Sequence, residues 1–250
     1  MVDKVATAPV RIRPLVAGAW AEVVRTLSAL WPVWLLQWIL MVAVGLTFRM
    51  LRPAGASSGE ALDEQLATLA CELLVDGGAV ALAMPVLMRM RSHPWRFDRR
   101  QAGYATAWLL VQGVASLVLV LAMAAVPPTS GASLGIGILG FVAFTWVTSR
   151  LLLWPLSLLT ADQRLTPAAS WRAMSGAVWP YLAADLAGGL VPTLLWLFLN
   201  AQFDAYGYLV SLGLGVLALG ISNVWSMAVA ARVFHRRLGG DARDLGAVFA

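Results

Sequence analysis

Four charged residues lie inside apolar runs of this chain, and they are the side chains whose types could carry chemistry: Glu72, Asp76, Arg150 and Asp185. A charge is costly in hydrocarbon. Such residues therefore face a bundle interior or a cavity, where they pair with one another or mark an ion or proton path. Glu72 and Asp76 are spaced i, i+4 and share one helix face. Counted back from Arg89, Asp76 falls roughly 10 Å below the outer boundary of a hydrocarbon core roughly 30 Å thick. Glu72 is then nearer the headgroups, within reach of Arg49 or Arg52, while Arg150 and Asp185 fall in the inner part of their helices. Two ion pairs, Glu72 with Arg49 or Arg52 and Arg150 with Asp185, would account for all four as ties between helices. The functional alternative is a proton- or cation-coupled path through Asp76 with Glu72 at its outer mouth. An intramembrane aspartyl protease needs two aspartates at one depth, and Asp76 and Asp185 are expected in opposite halves.

Other chemistry finds little support. The two histidines, His93 and His235, sit in separate basic segments without ligand-spaced neighbours, so no metal site is expected. One cysteine, Cys71, precludes an intrachain disulfide and any CxxC motif. No nucleophile elbow, zinc-protease motif or phosphate loop occurs. Neither a catalytic residue nor a cofactor is expected. Gly135, Gly137 and Gly140 follow a short loop inside an apolar helix, where close helix packing is the expectation.

The elements that must hold these residues follow from composition. The chain has 250 residues, of which 60% are hydrophobic and 12% charged. That is about half the charge of an ordinary soluble domain, too little to cover a watery surface. Lipid is the expected solvent, and the expected fold class is all-α: a polytopic bundle of transmembrane helices. Apolar windows of about 20 residues predict six spans, at 29–48, 66–88, 104–126, 134–157, 180–199 and 208–231. They form a 29–237 membrane domain, preceded by an N-terminal segment (1–28) and followed by a tail (238–250). Pro85, Pro155 and Pro192 fall inside apolar runs and predict kinks.

Orientation follows from the basic residues. Lys4, Arg11, Arg13 and Arg25 precede the first span. Arg89, Arg91, Arg96, Arg99 and Arg100 lie between the second and third, and Arg150, Arg164 and Arg172 around the fourth-to-fifth connection. Arg232, Arg236, Arg237 and Arg243 end the chain. The opposite side has only Arg49 and Arg52. The positive-inside rule then places both termini in the cytoplasm, which six spans satisfy. Arg89, Arg91, Arg96, Arg99, Arg100, Arg232, Arg236 and Arg237 are the candidate contacts for anionic headgroups. Nucleic acid is not expected, because the net charge of +5 is spent between apolar runs. The N-terminal segment shows no compact apolar core and no cleavage site of a signal peptide.

Two segments read as amphipathic interfacial helices. Residues 14–27 put Leu15, Val16, Ala19, Trp20, Val23, Val24 and Leu27 on one face, with Glu22, Arg25 and Thr26 elsewhere. Thr166 and Pro167 open the second as N-cap and first helical residue, and Trp171, Met174 and Val178 share its apolar face. Each runs into a Trp-Pro pair, Trp31-Pro32 and Trp179-Pro180, hinting at an internal duplication. Tryptophans deep in the spans, Trp34, Trp38, Trp108, Trp146, Trp196 and Trp225, need a partner for the indole N–H or helix packing. Ala218, Ser222, Ser226 and Ala230 form a small-residue stripe that packs within the bundle or against a membrane-protein partner.

The stretch Ser149-Arg150, Leu158 to Asp162, Leu165-Thr166-Pro167-Ala168-Ala169-Ser170-Trp171 and Gly176 to Trp179 resembles the central signature of the YciC-like and glycerophosphoryl diester phosphodiesterase membrane-domain families of bacteria. The resemblance implies a six-helix cytoplasmic-membrane protein and carries over no active-site residue. The sequence thus leads to a non-enzymatic scaffold, assembly or membrane-homeostasis module. A small proton- or ion-coupled transporter using Asp76 is the alternative, and a lipid-handling enzyme a weaker one. A transporter requires a water-accessible cavity touching Asp76; a scaffold requires no continuous polar path.

Overall fold

A computed structural model describes residues 10–51, 62–88, 90, 97–124, 131–160, 165–202 and 207–238. Among them there is no strand. The helices are α1 (Ile12–Val16), α2 (Ala19–Ala29), α3 (Trp31–Leu51), α4 (Leu62–Leu87), α5 (Arg99–Ala124), α6 (Gly131–Leu151), α7 (Leu153–Leu159), α8 (Pro167–Ala173), α9 (Val178–Gln202) and α10 (Tyr208–Leu238). Six segments are long and apolar enough to cross a membrane: α3, α4, α5, the α6–α7 pair, α9 and α10. The chain is a multi-pass membrane protein.

The spans close into a ring in the order α3, α4, α5, α6, α9, α10, with α10 returning to α3. α10 also touches α2, α4 and α7, and its second half is almost continuously buried from Val224 to Phe234. The outward faces of α3, α5, α6 and α9 carry exposed Leu, Val, Ile and Phe, as a surface solvated by lipid tails requires.

The fourth span breaks where Pro155 lacks the N–H that would reach Leu151. α6 ends at Leu151 and α7 begins at Leu153. The Ser170 hydroxyl enters the gap. It accepts from the Trp154 N–H at 3.1 Å and donates to the Arg150 carbonyl at 3.0 Å, so it occupies the rung that an unbroken helix would close directly. Pro85 and Pro192, by contrast, lie inside continuous helices. Ser170 is fully buried. Ser170→Ala would leave both backbone groups unpaired, at about 1–3 kcal/mol each. The expected result is a clear fall in melting temperature in detergent, with Ser170→Thr retaining part of the loss. No change in melting would mean that water or a shifted backbone replaces the hydroxyl.

The amphipathic segment 14–27 is not one helix. Gly18 takes a left-handed conformation, φ +76°, that separates α1 from α2. The break turns α2 so that Ala19, Val23, Thr26 and Leu30 are wholly buried, while Val24 stays 63% exposed. The buried face packs against α10, and α1 packs on α9 and α10. Thr26 joins that face at little cost because its hydroxyl donates to the Glu22 carbonyl at 2.7 Å. The second segment is also shorter than its periodicity suggests. Thr166 caps α8, accepting from the Ala169 N–H at 3.2 Å as expected. Gly176, at φ +75°, then ends the turn before α9 starts. Met174 and Val178 are buried, but Trp171, expected beside them, is 40% exposed, and Ser170, expected off that face, is buried instead.

Candidate functional site

A partly open cavity of about 450 Å³ lies between α4, α5, α6, α7, α9 and α10. Asp76 from α4 and Asp185 from α9 both line it. The two carboxyl groups expected in opposite halves of the membrane therefore line one space. The depth assigned to each from chain counting was measured along separate helices, and relative shift between helices is invisible to that count.

Each carboxyl has one donor. Gln37 Nε2, from α3, donates to Asp76 Oδ1 at 2.5 Å. Ser226 Oγ, from α10, donates to Asp185 Oδ1 at 2.5 Å. A carboxylate can accept about four hydrogen bonds, so both keep acceptor capacity toward the cavity. Gln37 and Ser226 are residues that hydropathy reading did not connect to the charges; their common signal was that both are polar residues within apolar spans.

The remaining polar lining is under-used. Tyr104 is 2% exposed and Tyr181 8% exposed, both line the cavity, and neither phenol has a hydrogen-bond partner among the described residues. Gln112 and Asn223 also reach the cavity without a protein partner among the described residues. Thr145, Thr148 and Ser149 satisfy their hydroxyls on carbonyls of their own helix, Ser149 to Thr145 at 2.6 Å. Buried polar groups are normally paired with protein, water or ligand. The two buried phenols, beside the half-buried amides of Gln112 and Asn223, make this a place where water or a solute can complete hydrogen bonds.

Arg150 does not pair with Asp185. Its guanidinium stacks over Trp146 at 5.0 Å and Trp171 at 5.5 Å, and Nη1 donates to the Trp171 carbonyl at 3.1 Å. Matched depth did not make a pair: Asp185 takes its donor from α10, while Arg150 leaves the end of α6 toward α8. Two aromatic faces and a carbonyl can hold a cation with no carboxylate. Arg150, Ser170 and Trp171, all in the stretch that carries the family resemblance, therefore build a local joint between α6, α7 and α8. The expected partners of Glu72 cannot be compared, since Arg52 and the side chain of Arg49 lie outside the described residues.

The candidate headgroup arginines separate into two kinds. Arg99, Arg100 and Arg236 are exposed. Arg232 and Arg237 turn inward: Arg232 pairs with Glu22 at 3.0 Å, and Arg237 donates to the Ser175 carbonyl at 2.9 Å. Their position in a basic tail concealed that the end of α10 is covered by α1, α2 and the α8–α9 turn. Arg89, Arg91 and Arg96 lie outside the described residues. The Ala218, Ser222, Ser226, Ala230 stripe is taken up within the chain. Ala218 and Ala230 are buried, Ser222 donates to the Gly189 carbonyl of α9 at 3.3 Å and Ser226 to Asp185.

Three of the deep tryptophans find carbonyl partners on neighbouring backbone: Trp38 on Gly213, Trp196 on Ser211 and Trp225 on Ala184. Of the three glycines expected to allow close packing on α6, only Gly140 does so. A methyl there would come within 2.6 Å of Leu119, whereas Gly135 and Gly137 face open space.

Comparison with family models, with curated proteins and with solved structures returned no match.

Proposed function

We propose that this membrane protein is a non-catalytic binding or carrier module for a small solute, in which Asp76 and Asp185 take up the proton or cation that accompanies or constitutes the cargo. The observation that supports the reading is the cavity lined by two carboxyl groups together with the polar side chains of Tyr104, Tyr181, Gln112 and Asn223. A module built only to hold helices together gains nothing from such a space, because unpaired buried polar groups and missing packing both cost stability. A binding module gains a site whose hydrogen bonds are completed by what it carries. The arginine-rich end belongs to the cytoplasmic side of a bacterial inner membrane in this reading, with Arg99, Arg100 and Arg236 on anionic headgroups. In the same reading, residues 149–179 belong to a membrane domain of the YciC-like kind.

The carrier reading requires the cavity to hold water. Maleimides react with the thiolate, which forms only where water reaches the sulfur. In a Cys71→Ser background, Asn223→Cys places a thiol on the cavity wall and Leu194→Cys one on the lipid-facing side of α9, where the native side chain is 57% exposed. The thiol at 223 is expected to react with membrane-permeant N-ethylmaleimide in proteoliposomes much faster than the thiol at 194. Equally slow reaction at both positions would make the cavity dry and return the protein to a structural role.

A further inference from the structure

A second space adjoins the first. Between α5 and α6 lies an apolar groove of about 390 Å³, and its lining from Leu110 to Trp154 contains no charged side chain. Val111 and Phe144 line both the groove and the polar cavity. These two side chains are therefore the partition between a surface that faces lipid tails and a chamber that holds two carboxyl groups. Exposed Leu110, Val114, Val118 and Val147 set the groove on the lipid side of the ring.

The chamber selects a sign of charge. Among the described residues its lining holds Asp76 and Asp185 and no lysine, arginine or histidine. It also presents the rings of Tyr104, Trp108, Phe141, Phe144 and Tyr181. Carboxylates and aromatic faces together are the chemistry that recognises an organic ammonium, above all a quaternary one that cannot donate hydrogen bonds. The phenols of Tyr104 and Tyr181, more than nine-tenths buried and with no hydrogen-bond partner among the described residues, line the same space as the carboxyl groups.

We propose that the solute is an amphiphilic organic cation that enters sideways from the bilayer, its ammonium head seated between Asp76 and Asp185 and its hydrocarbon tail lying in the α5–α6 groove past Val111 and Phe144. This rests on the carrier reading and adds to it the substrate class and the door. The groove contributes little binding free energy by itself, because a tail already dissolved in lipid gains nothing by touching more hydrocarbon. Its role is to let a head that is costly in lipid reach the carboxyl groups while the tail never leaves an apolar medium.

The probe is dodecyltrimethylammonium, and the readout is protection of the thiol of Asn223→Cys from N-ethylmaleimide in nanodiscs. Dodecanol, with a similar tail and no charge, and tetramethylammonium, with the head and no tail, are the comparisons. Dodecyltrimethylammonium is expected to slow labelling about tenfold at membrane contents where dodecanol has no effect, and tetramethylammonium is expected to protect far less. Asp76→Asn with Asp185→Asn should remove the protection. So should Ala143→Trp, which fills the groove from an exposed position and does not line the chamber. Equal protection by dodecanol would overturn the cationic head, and equal protection by tetramethylammonium would overturn lateral entry. Fast labelling of the thiol with no protection by any of the three would sink the substrate class while leaving a hydrated carrier cavity. A thiol that never labels would instead remove the carrier reading beneath it.

Discussion

Gly188→Ala is expected to be the most destructive single methyl that can be added to this protein. A Cβ at Gly188 would fall 1.8 Å from Cε2 of Trp225, far inside the contact distance of two carbon atoms. Trp225 has nowhere to retreat. It is fully buried, its Nε1 donates to the Ala184 carbonyl at 3.1 Å, and its ring sits 4.9 Å from that of Trp20. Either α9 and α10 separate or the indole rotates and abandons a buried hydrogen bond. Overpacking costs about 1–3 kcal/mol or more, and a stranded buried donor about 1–3 kcal/mol further. Because Asp185 and Ser226 flank the clash on the same two helices, their 2.5 Å hydrogen bond is expected to fail with it. The neighbouring Gly189→Ala meets no atom within 4 Å, and should be neutral or slightly stabilising, since alanine is the better helix former. Melting curves of both variants in one detergent check the contrast. Gly188→Ala with Trp225→Leu should recover part of the loss, a non-additivity expected only of residues in contact. Equal melting of the two alanine variants would mean that the indole does not rest on Gly188.

The second large effect is expected at Arg232. Its guanidinium joins Glu22 at 3.0 Å and donates to the carbonyls of Pro14 at 3.1 Å, Leu15 at 3.4 Å and Ala17. It thus closes the end of α1, pins α2 and fastens both to α10. The left-handed turn at Gly18 is part of the same fitting, since a Cβ there would lie 3.1 Å from Nη2 of Arg232. Glu22 is 13% exposed and Arg232 21% exposed. Removing one partner of a largely buried pair costs about 3 kcal/mol or more, because the other charge and the carbonyls are left behind. Arg232→Ala is therefore expected to release α1 and α2, seen as new protease cleavage near residue 18 and as a lower melting temperature. Arg232→Lys should not rescue, for one ammonium cannot span a carboxylate and three carbonyls as a planar fork does. Arg236→Ala, four residues on and exposed, should shift stability by no more than about 0.5 kcal/mol. Identical proteolysis of the alanine variants at 232 and 236 would show that the clasp does not hold the N-terminal helices.

The six spans and the all-α class were legible in the residues alone because a lipid-crossing helix needs about twenty apolar residues in a row, and that requirement is local. So was the Thr166 cap; the prolines were not equally telling, since the helix divides near Pro155 but runs on through Pro85 and Pro192. The intramembrane charges also announced themselves as the informative set. Their partners did not. Hydropathy gives the depth of a residue along its own helix but neither the rotation of that helix nor its neighbours, and a pair needs all three. Arg150 therefore finds two tryptophans and a carbonyl where Asp185 was expected, and Asp185 finds Ser226. The same reason hid the cavity: Asp76 and Asp185 are 109 positions apart in the numbering, and only the closing of the ring brings them to one chamber. The amphipathic face of residues 14–27 showed that something apolar covers it, yet lipid and protein look alike to a hydrophobic stripe. The backbone reversal at Gly18 and the reach of Arg232 decided for protein, because an arginine can satisfy several buried oxygens only where the packed chain holds them together.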